Sequence, residues 1–327
     1  MKTERYVEDL IQSVPFLQEV GKELARAIHQ AVLDGGPAAR NVADVLHGTW
    51  LGHPLHPVLT DLPVGAWTIA TLFDSLEGEK AEYAADQLMT IGTIAAVPTA
   101  ISGLADYSTI PAPAASTGTL HALIMNLTFT FYLGSLWQRR KGNRGRAVFL
   151  SSLGFILLMV GAYLGGHLSY KQKVGVDHSK AGSKPKEWTA VMDEEDLNEH
   201  EAKRVEVEGE PILLYRYGGT IYAIGAVCSH AGGPLEKGQF DGFCVQCPWH
   251  DSVFDVRDGG IVHGPATYPQ SNYGARIKDG RIEVRVENVE RGGGHGGHSH
   301  GGQDDHNGRS AQTSGHDGQG AQTGQAS

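Results

Sequence analysis

Four apolar stretches in the first half of the chain restrict its fold more than any other feature of the sequence. Each is about 18–22 residues long with few charges, the length a helix needs to cross a hydrocarbon core about 30 Å thick. Within the last stretch the unbroken apolar run Ala147–Leu164 has no polar face, which favours a membrane span over a helix buried in a soluble bundle. The sequence therefore predicts a bundle of four membrane-spanning helices. The stretches are Pro57–Leu76, Gln87–Ala105, Leu120–Trp137 and Ala147–Leu168.

The segment before the first stretch, residues 1–45, is charged and amphipathic. It contains no apolar core of the kind that a cleavable signal peptide requires. Apolar residues at helical spacing between Val7 and Val32 predict one or two amphipathic helices that end near Gly35. Packing against the rest of the protein is the expected role of this face, with a membrane surface or a partner as the alternative.

The composition changes again after the fourth stretch. A polar, basic linker, Lys171–Lys186, leads into short alternating runs rich in β-branched residues. Two such runs flank Gly218-Gly219 and two more flank Asp279-Gly280, and both dipeptides indicate tight hairpins. We therefore expect a small antiparallel β domain over residues 187–288. Residues 291–327 are rich in glycine, histidine and glutamine with almost no apolar side chains, which predicts a disordered tail.

Charge and cysteine content narrow the possible functions. The formal net charge is −10 and no basic stripe is present, so nucleic acid is not an expected partner. Three cysteines are too few for a disulfide scaffold. They are also clustered, because Cys228, Cys244 and Cys247 lie within 20 residues of one another in the predicted β domain.

Two of these cysteines stand beside histidines. The sequence reads Cys228-Ser-His230, then 16 residues, then Cys247-Pro-Trp-His250. Two cysteines and two histidines satisfy a tetrahedral zinc site. The same four ligands also suit a [2Fe–2S] centre in which two thiolates hold one iron and two imidazoles hold the other. The spacing alone does not decide between a zinc ion and a [2Fe–2S] cluster.

The segment Cys228–Pro265 resembles the Rieske family of iron–sulfur domains. Its C-x-H and C-P-x-H boxes are present, and Phe254-Asp255 and Gly264-Pro265-Ala266 match downstream elements of that family. The resemblance covers about Trp188–Val286. It implies a one-electron carrier whose cluster is held by Cys228, His230, Cys247 and His250, with the histidine-bound iron towards solvent. The family further implies a reduction potential that falls as pH rises, because the histidines lose protons on oxidation.

Several positions near the cluster bear on its potential. High-potential members of the family carry a disulfide at the positions of Gly233 and Trp249, so the resemblance implies no such disulfide here. Ser252 stands where the family has a serine that donates towards the cluster sulfurs, but Phe254 replaces a donating tyrosine. Because such donors raise the potential, we expect an intermediate value within roughly −150 to +300 mV. The remaining positions of interest are Pro265, expected on a third loop covering the cluster, Asp251, where the family usually has glycine, and Cys244, expected to be a small buried strand residue.

The membrane half also resembles a known family. It begins Gly52-His-Pro-Leu-His-Pro57 and ends with Gly165-Gly-His167, as in an uncharacterised family of bacterial four-span membrane proteins defined only as a domain of unknown function. The match covers about Leu46–Val176, and we take residues 46–176 as the membrane domain. This resemblance implies no activity.

The histidines of this half fall on one side of the predicted bundle, together with the β domain. They are His53, His56, His121 and His167. One interpretation is that they are hydrated residues at the membrane–water interface, paired with Asp61 and Asp106. A second is a haem b held by His121 and His167 on adjacent spans. A third is a quinone pocket that uses histidine and aspartate as proton partners.

The sequence as a whole predicts a multidomain α plus all-β protein of a bacterial cell membrane that carries single electrons. Its expected partners are membrane lipid and an unidentified redox protein or quinone, and no catalytic residue is assigned. A non-redox zinc-binding module and an electron-transfer component of an oxygenase are the alternatives. The basic loop Arg139–Arg146 favours an extracytoplasmic β domain by the positive-inside rule, whereas the lysines of the linker favour the opposite side.

Overall fold

A computed structural model describes residues 8–76, 78–179 and 184–286 of the chain. Within these ranges a helical half, residues 8–179, precedes an antiparallel β domain, residues 184–286. Both parts belong to one unit that ends at Glu287. The predicted tail, residues 291–327, lies outside the described residues.

Two helices that follow a short helical segment at residues 8–12 are joined by a single residue. Helix α1 spans Pro15–Asp34 and α2 spans Gly36–His47. The sequence places the end of the N-terminal helices near Gly35, whereas α2 begins there, because a proline in the first helical turn loses no hydrogen bond. Gly48 ends α2 in a left-handed conformation, with φ of 85°, and a Cβ atom there would lie 2.2 Å from the carbonyl oxygen of His53.

Four longer helices follow. They are α3 (Leu55–Asp74), α4 (Glu79–Ser108), α5 (Ala115–Arg140) and α6 (Arg144–Gly166), and a π-helical turn, His167–Lys171, extends α6. Helix α3 packs on α4 and α6, and α5 packs on α4 and α6, while α1 lies across α4 and α5. Among the described residues, two segments, Glu79–Ser108 and Arg144–Lys171, are long and apolar enough to cross a membrane.

Burial in these four helices is the reverse of that in a soluble bundle. Small and polar side chains such as Ser102, Thr128 and Ser135 are buried between the helices. Large apolar side chains such as Ile94 and Phe149 face outwards and are 67 % and 64 % exposed. The helical half therefore presents an apolar surface, while close contact between helices depends on small residues.

An ionic cluster joins all four helices at the end that is remote from the β domain. Arg139 of α5 binds Asp74 of α3, and it reaches Asp86 of α4 at 2.5 Å. Arg144 of α6 contacts Asp74 at 2.6 Å. The Arg139 and Asp74 side chains are both only 3 % exposed. Each charge is therefore stabilised by the opposite charge of its partner, because little water can reach it.

The β domain contains two antiparallel sheets. The larger has the order β1-β10-β9-β4-β3-β2, and the smaller has the order β5-β6-β7-β8. Both predicted hairpins are confirmed: the Gly218-Gly219 and Asp279-Gly280 turns have positive φ at both central residues, as a two-residue turn between twisted strands requires. The strands are β1 (Thr189–Asp193), β2 (Ala202–Val207), β3 (Glu210–Tyr217), β4 (Thr220–Gly225), β5 (Gln239–Asp241), β6 (Cys244–Gln246), β7 (Val253–Asp255), β8 (Ile261–His263), β9 (Asn272–Lys278) and β10 (Arg281–Val286).

Candidate metal centre

The first Cys-His box lies on the loop between β4 and β5. Cys228 is buried, and its backbone N–H donates to the carbonyl of Gly233 at 2.8 Å. Gly232, with φ of 82°, donates back to the carbonyl of Cys228 at 2.9 Å. These two bonds close a tight turn that holds Cys228 and His230 on one side of the loop.

The second box lies on the loop between β6 and β7 and has a similar construction. The N–H of Cys247 donates to the carbonyl of Ser252 at 2.8 Å, and that of Asp251 donates to the carbonyl of Cys247 at 3.2 Å. Asp251 has a φ of 62°, in the left-handed region that favours glycine. Aspartate is among the few other residues that adopt this conformation, which explains how it fills a glycine position.

The two loops bring the four predicted ligands together as two pairs. The thiols of Cys228 and Cys247 are hydrogen-bonded to each other, which raises the pKa of Cys228 and lowers that of Cys247. The rings of His230 and His250 lie with centroids 5.0 Å apart and planes at 82°. Within the described residues no three or more histidine, cysteine or carboxylate side chains are grouped around the position of a single metal ion.

The donor atoms fit a [2Fe–2S] cluster held by mixed ligands. Nδ1 of His250 is buried and has no hydrogen-bond partner within the described part of the chain, as expected for a nitrogen that binds metal. Burial lowers the pKa of His250 to about 4 and that of His230 well below its ordinary value, so both imidazoles are neutral. Neutral imidazoles and thiolates are the forms that bind iron. A cysteine pair beside a histidine pair matches two irons with different ligands.

Cys247 and Trp249 leave little room for a side chain at position 233, where the chain has Gly233. A Cβ atom at Gly233 would lie 2.8 Å from Sγ of Cys247 and 3.2 Å from the ring of Trp249. The Gly233 and Trp249 positions are therefore adjacent, as the two positions of the family's disulfide must be. Here the indole ring lies against the glycine instead.

The positions predicted beside the cluster occupy the surrounding core. Ser252 and Phe254 are fully buried, and Phe254 belongs to the same hydrophobic cluster as Cys228 and Cys247. Oγ of Ser252 accepts the N–H of Ala266 at 3.0 Å, which fixes the third loop that carries Pro265. Cys244 lies at the start of β6 and is half-buried, and burial raises its pKa.

The histidine pair faces the helical half of the protein. His230 lines a small cavity of about 30 Å³ together with His47, Asp106 and Pro265. His250 lines a larger cavity of about 400 Å³ between α1, α2, α4 and the third loop. The Rieske resemblance implies a histidine edge towards solvent, whereas α1, α2 and the end of α4 cover this edge here.

Hydrogen bonds join the two halves around these histidines. Nε2 of His29 in α1 donates to Oδ2 of Asp251 at 2.8 Å. Asp44 of α2 accepts from Nδ1 of His263 and from the N–H of Gly264, both at 2.8 Å. Sequence reasoning missed His29, Asp44 and His263, because each lies more than 200 residues from its partner and outside any motif. We call the set of these five residues the docking interface: His29, Asp44, Asp251, His263 and Gly264.

The four histidines singled out in the helical half occupy three different environments. Nδ1 of His53 is hydrogen-bonded to the hydroxyl of Tyr268 in the β domain at 3.4 Å. The rings of His56 and His121 lie 6.4 Å apart, and their Nδ1 atoms donate to backbone carbonyls of α4 and α6. His167 instead contacts Glu8 at 3.3 Å. A haem between His121 and His167 stays a prediction.

Comparisons with known proteins support both resemblances seen in the sequence. Residues 187–274 match the Rieske [2Fe-2S] domain, and residues 52–178 match Predicted membrane protein (DUF2231). The chain is 33% identical over 100 residues to the anthranilate 1,2-dioxygenase ferredoxin subunit of Burkholderia cepacia, covering 93% of that protein and 31% of this chain.

Two further relatives are of the same kind. The ferredoxin component of the naphthalene 1,2-dioxygenase system of Pseudomonas putida is 30% identical over 97 residues, covering 93% of that protein and 30% of this chain. The solved ferredoxin of carbazole 1,9a-dioxygenase from Nocardioides aromaticivorans IC177 is 28% identical, with a TM-score of 0.30, covering 98% of that chain and 31% of this one. The relatives therefore correspond to less than a third of this chain.

Proposed function

Since the chain belongs to the Rieske [2Fe-2S] family through residues 187–274, we propose that it is a membrane-anchored carrier of single electrons. Its relatives include ferredoxin components of dioxygenase systems, and a cluster of this type takes up and releases one electron at a time. The observation that carries the proposal is the buried thiol pair beside a partly buried imidazole pair, in which Nδ1 of His250 has no hydrogen-bond partner among the described residues.

The ligands in this proposal are Cys228 and Cys247 for one iron and His230 and His250 for the other. The buried thiol pair provides two sulfur ligands that need no large movement to bind metal. Hydrogen bonds from the backbone hold both loops in place before the cluster binds. Ser252 fixes the third loop, and Phe254 excludes water from the cysteine side.

The helical half is proposed to be a four-span membrane anchor. Helices α4 and α6 meet the length and hydropathy of membrane spans, and residues 52–178 match a predicted membrane protein domain. Helices α3 and α5 do not reach the same hydropathy over a span length, but they pack against α4 and α6 and share their outward apolar surface. A lipid environment would cover that surface, whereas water would leave it exposed.

We further propose that electrons pass between a soluble protein and the membrane side. The covered histidine edge faces the cavities shared with the helical half, so that edge serves the membrane side. The second box also presents a solvent-facing flank, where Trp249 is 55 % exposed. An aromatic side chain next to His250 is a suitable contact for a soluble redox protein.

Electron paramagnetic resonance of the full chain tests this function. The dithionite-reduced protein, purified anaerobically in detergent, is expected to give the rhombic signal of a mixed-ligand [2Fe–2S] centre. Cys228→Ser and Cys247→Ser should abolish the signal, whereas Cys244→Ser is the matched control and should retain it. A protein that binds zinc and gives no signal after anaerobic reconstitution with iron and sulfide would overturn the proposal.

A further inference from the structure

The larger cavity beside His250 is built by both halves of the protein. It has a volume of about 400 Å³ and lies between α1, α2, the C-terminal part of α4 and the loops that carry His250 and Pro265. This is within the usual range of small-molecule sites, roughly 300–1,000 Å³. Helices α1 and α2 form one wall, so the cavity depends on residues that precede both matched family domains.

The walls away from the β domain are aliphatic. Val32 and Leu46 come from α1 and α2, and Ile101, Leu104 and Ala105 come from α4. Ile101 and Leu104 are each about half exposed, and they belong to the outward apolar surface of α4. The cavity therefore borders the surface that lipid is proposed to cover, and an apolar ligand has a short route into it.

The wall towards the β domain is polar. It contains His250, the bonded pair of His29 and Asp251, Asp44 and Arg40. His47 also lines this region, and its Nδ1 donates to Asp106 at 3.1 Å. Imidazoles and carboxylates in this arrangement can donate to a carbonyl oxygen or accept from a hydroxyl group.

We propose that this cavity binds the ring of a lipid-soluble quinone or hydroquinone. Such a ligand has an apolar body for the aliphatic walls, and its ring oxygens suit the polar wall. It can also exchange electrons with the centre at His250, whereas a lipid acyl chain of similar polarity cannot. The inference rests on the proposed function, because it identifies the membrane-side electron partner of that centre.

Complete oxidation of the hydroquinone requires two successive one-electron transfers. Oxidation of one hydroquinone to the quinone releases two electrons and two protons. The electrons leave one at a time, and each is collected by one molecule of an oxidised one-electron redox protein at the solvent-facing flank. The protons are released to water at the polar wall, and quinone reduction is the same sequence in reverse.

Photoaffinity labelling tests the site directly. The cluster-loaded full chain in detergent is irradiated with a short-chain azidoquinone, and the labelled peptides are identified by mass spectrometry. We expect label on residues 101–109 or 42–47, and excess unlabelled decylubiquinone should suppress it. Ala105→Trp fills the cavity from α4 and should reduce this labelling by about tenfold or more. Val42→Trp should do the same from α2.

A matched variant and a second measurement make the outcomes distinct. Ile94→Trp adds the same indole to the outward face of α4, outside the cavity, and should leave the labelling unchanged. Quinone should alter the line shape of the reduced cluster signal in the wild type and in Ile94→Trp, but not in Ala105→Trp. A normal cluster signal with label spread evenly over the helices would overturn this inference alone. Absence of the cluster signal would overturn the proposed function itself.

Discussion

Oδ2 of Asp251 lies 2.8 Å from Nε2 of His29, so the residue that follows His250 in sequence is bonded to α1. The amide of Gln246 also binds the Asp251 carboxylate. Hydrogen bonding by His29 is the largest cause that lowers the pKa of Asp251, and the carboxylate therefore stays charged at neutral pH. A glycine here would suit the positive φ but would leave His29 without this bond.

Asp44 is expected to hold the β domain against α2. Asp44→Ala removes the acceptor for both His263 and the N–H of Gly264, and hydrogen bonds to a charged group contribute about 1.5–3 kcal/mol each. We expect faster hydrogen exchange of the backbone amides in residues 261–266. Asp34→Ala is the control, because the Asp34 side chain is exposed and, among the described residues, accepts a hydrogen bond only from nearby Gln30. Equal exchange in both variants would show that Asp44 does not secure the docking interface.

The reduction potential is expected to respond in opposite directions to two changes beside the cysteines. Ser252→Ala removes a buried hydroxyl and should lower the potential, since a donor stabilises the reduced, more negative centre. A net hydrogen bond of about 1 kcal/mol corresponds to roughly 40 mV for a one-electron couple. Phe254→Tyr restores the family's second donor and should raise the potential. Protein-film voltammetry measures both, and a shift of the same sign in the two variants would contradict this role.

Tyr273 is expected to stabilise the large sheet through a buried hydrogen bond. Its hydroxyl donates to Oε1 of Glu210 at 2.7 Å, and both side chains are almost fully buried. Tyr273→Phe should lower the free energy of unfolding by about 1.5–3 kcal/mol. Urea unfolding followed by loss of the visible cluster absorption measures this. Tyr222→Phe is the control, because the described residues give its hydroxyl no hydrogen bond, and an equal loss there would refute the assignment.

Alkaline pH should weaken the same sheet. Burial, and then the bond to Glu210, raise the pKa of Tyr273 above the value of about 10 that applies in the unfolded chain. Above pH 10 the unfolded state binds fewer protons than the native state, so this contribution is complete below about pH 10 and is lost as pH rises towards the native pKa. Between pH 10 and 11 the wild type should lose about 1 kcal/mol more stability than Tyr273→Phe. Parallel urea midpoints for the two proteins would exclude this effect.

Arg139 is expected to be essential for assembly of the helical half. Arg139→Gln leaves the buried Asp74 with fewer partners, and breaking a buried ion pair costs about 3–5 kcal/mol. We expect a lower thermal unfolding temperature in detergent, measured by size-exclusion chromatography after heating. Arg146→Gln serves as the control, because Arg146 is an exposed residue in the first helical turn of α6. A melting temperature unchanged in Arg139→Gln would mean that the ionic cluster does not hold the four helices together.

Local sequence determined the elements and the chemistry of the metal centre. Glycine dipeptides can adopt positive φ at low cost, so the turn at Gly218-Gly219 could be predicted without knowledge of any tertiary contact. The two Cys-His boxes were equally readable, because each box is a short loop closed by its own backbone hydrogen bonds. The apolar stretches predicted the four long helices to within a few residues at most ends, although α4 and α5 extend further.

Tertiary structure alone decided what the histidine edge faces. The bonds from His29 to Asp251 and from Asp44 to His263 join residues more than 200 positions apart, and no periodicity or spacing encodes such pairs. The left-handed backbone of Asp251 likewise became interpretable only once its hydrogen bonds were known. Local sequence patterns reflect the conformational preferences of one segment. The packing of the β domain on α1 and α2 depends instead on contacts between residues far apart in the sequence. The sequence therefore specified an iron–sulfur centre and four apolar helices, and the fold placed that centre against the helical half with a cavity between them.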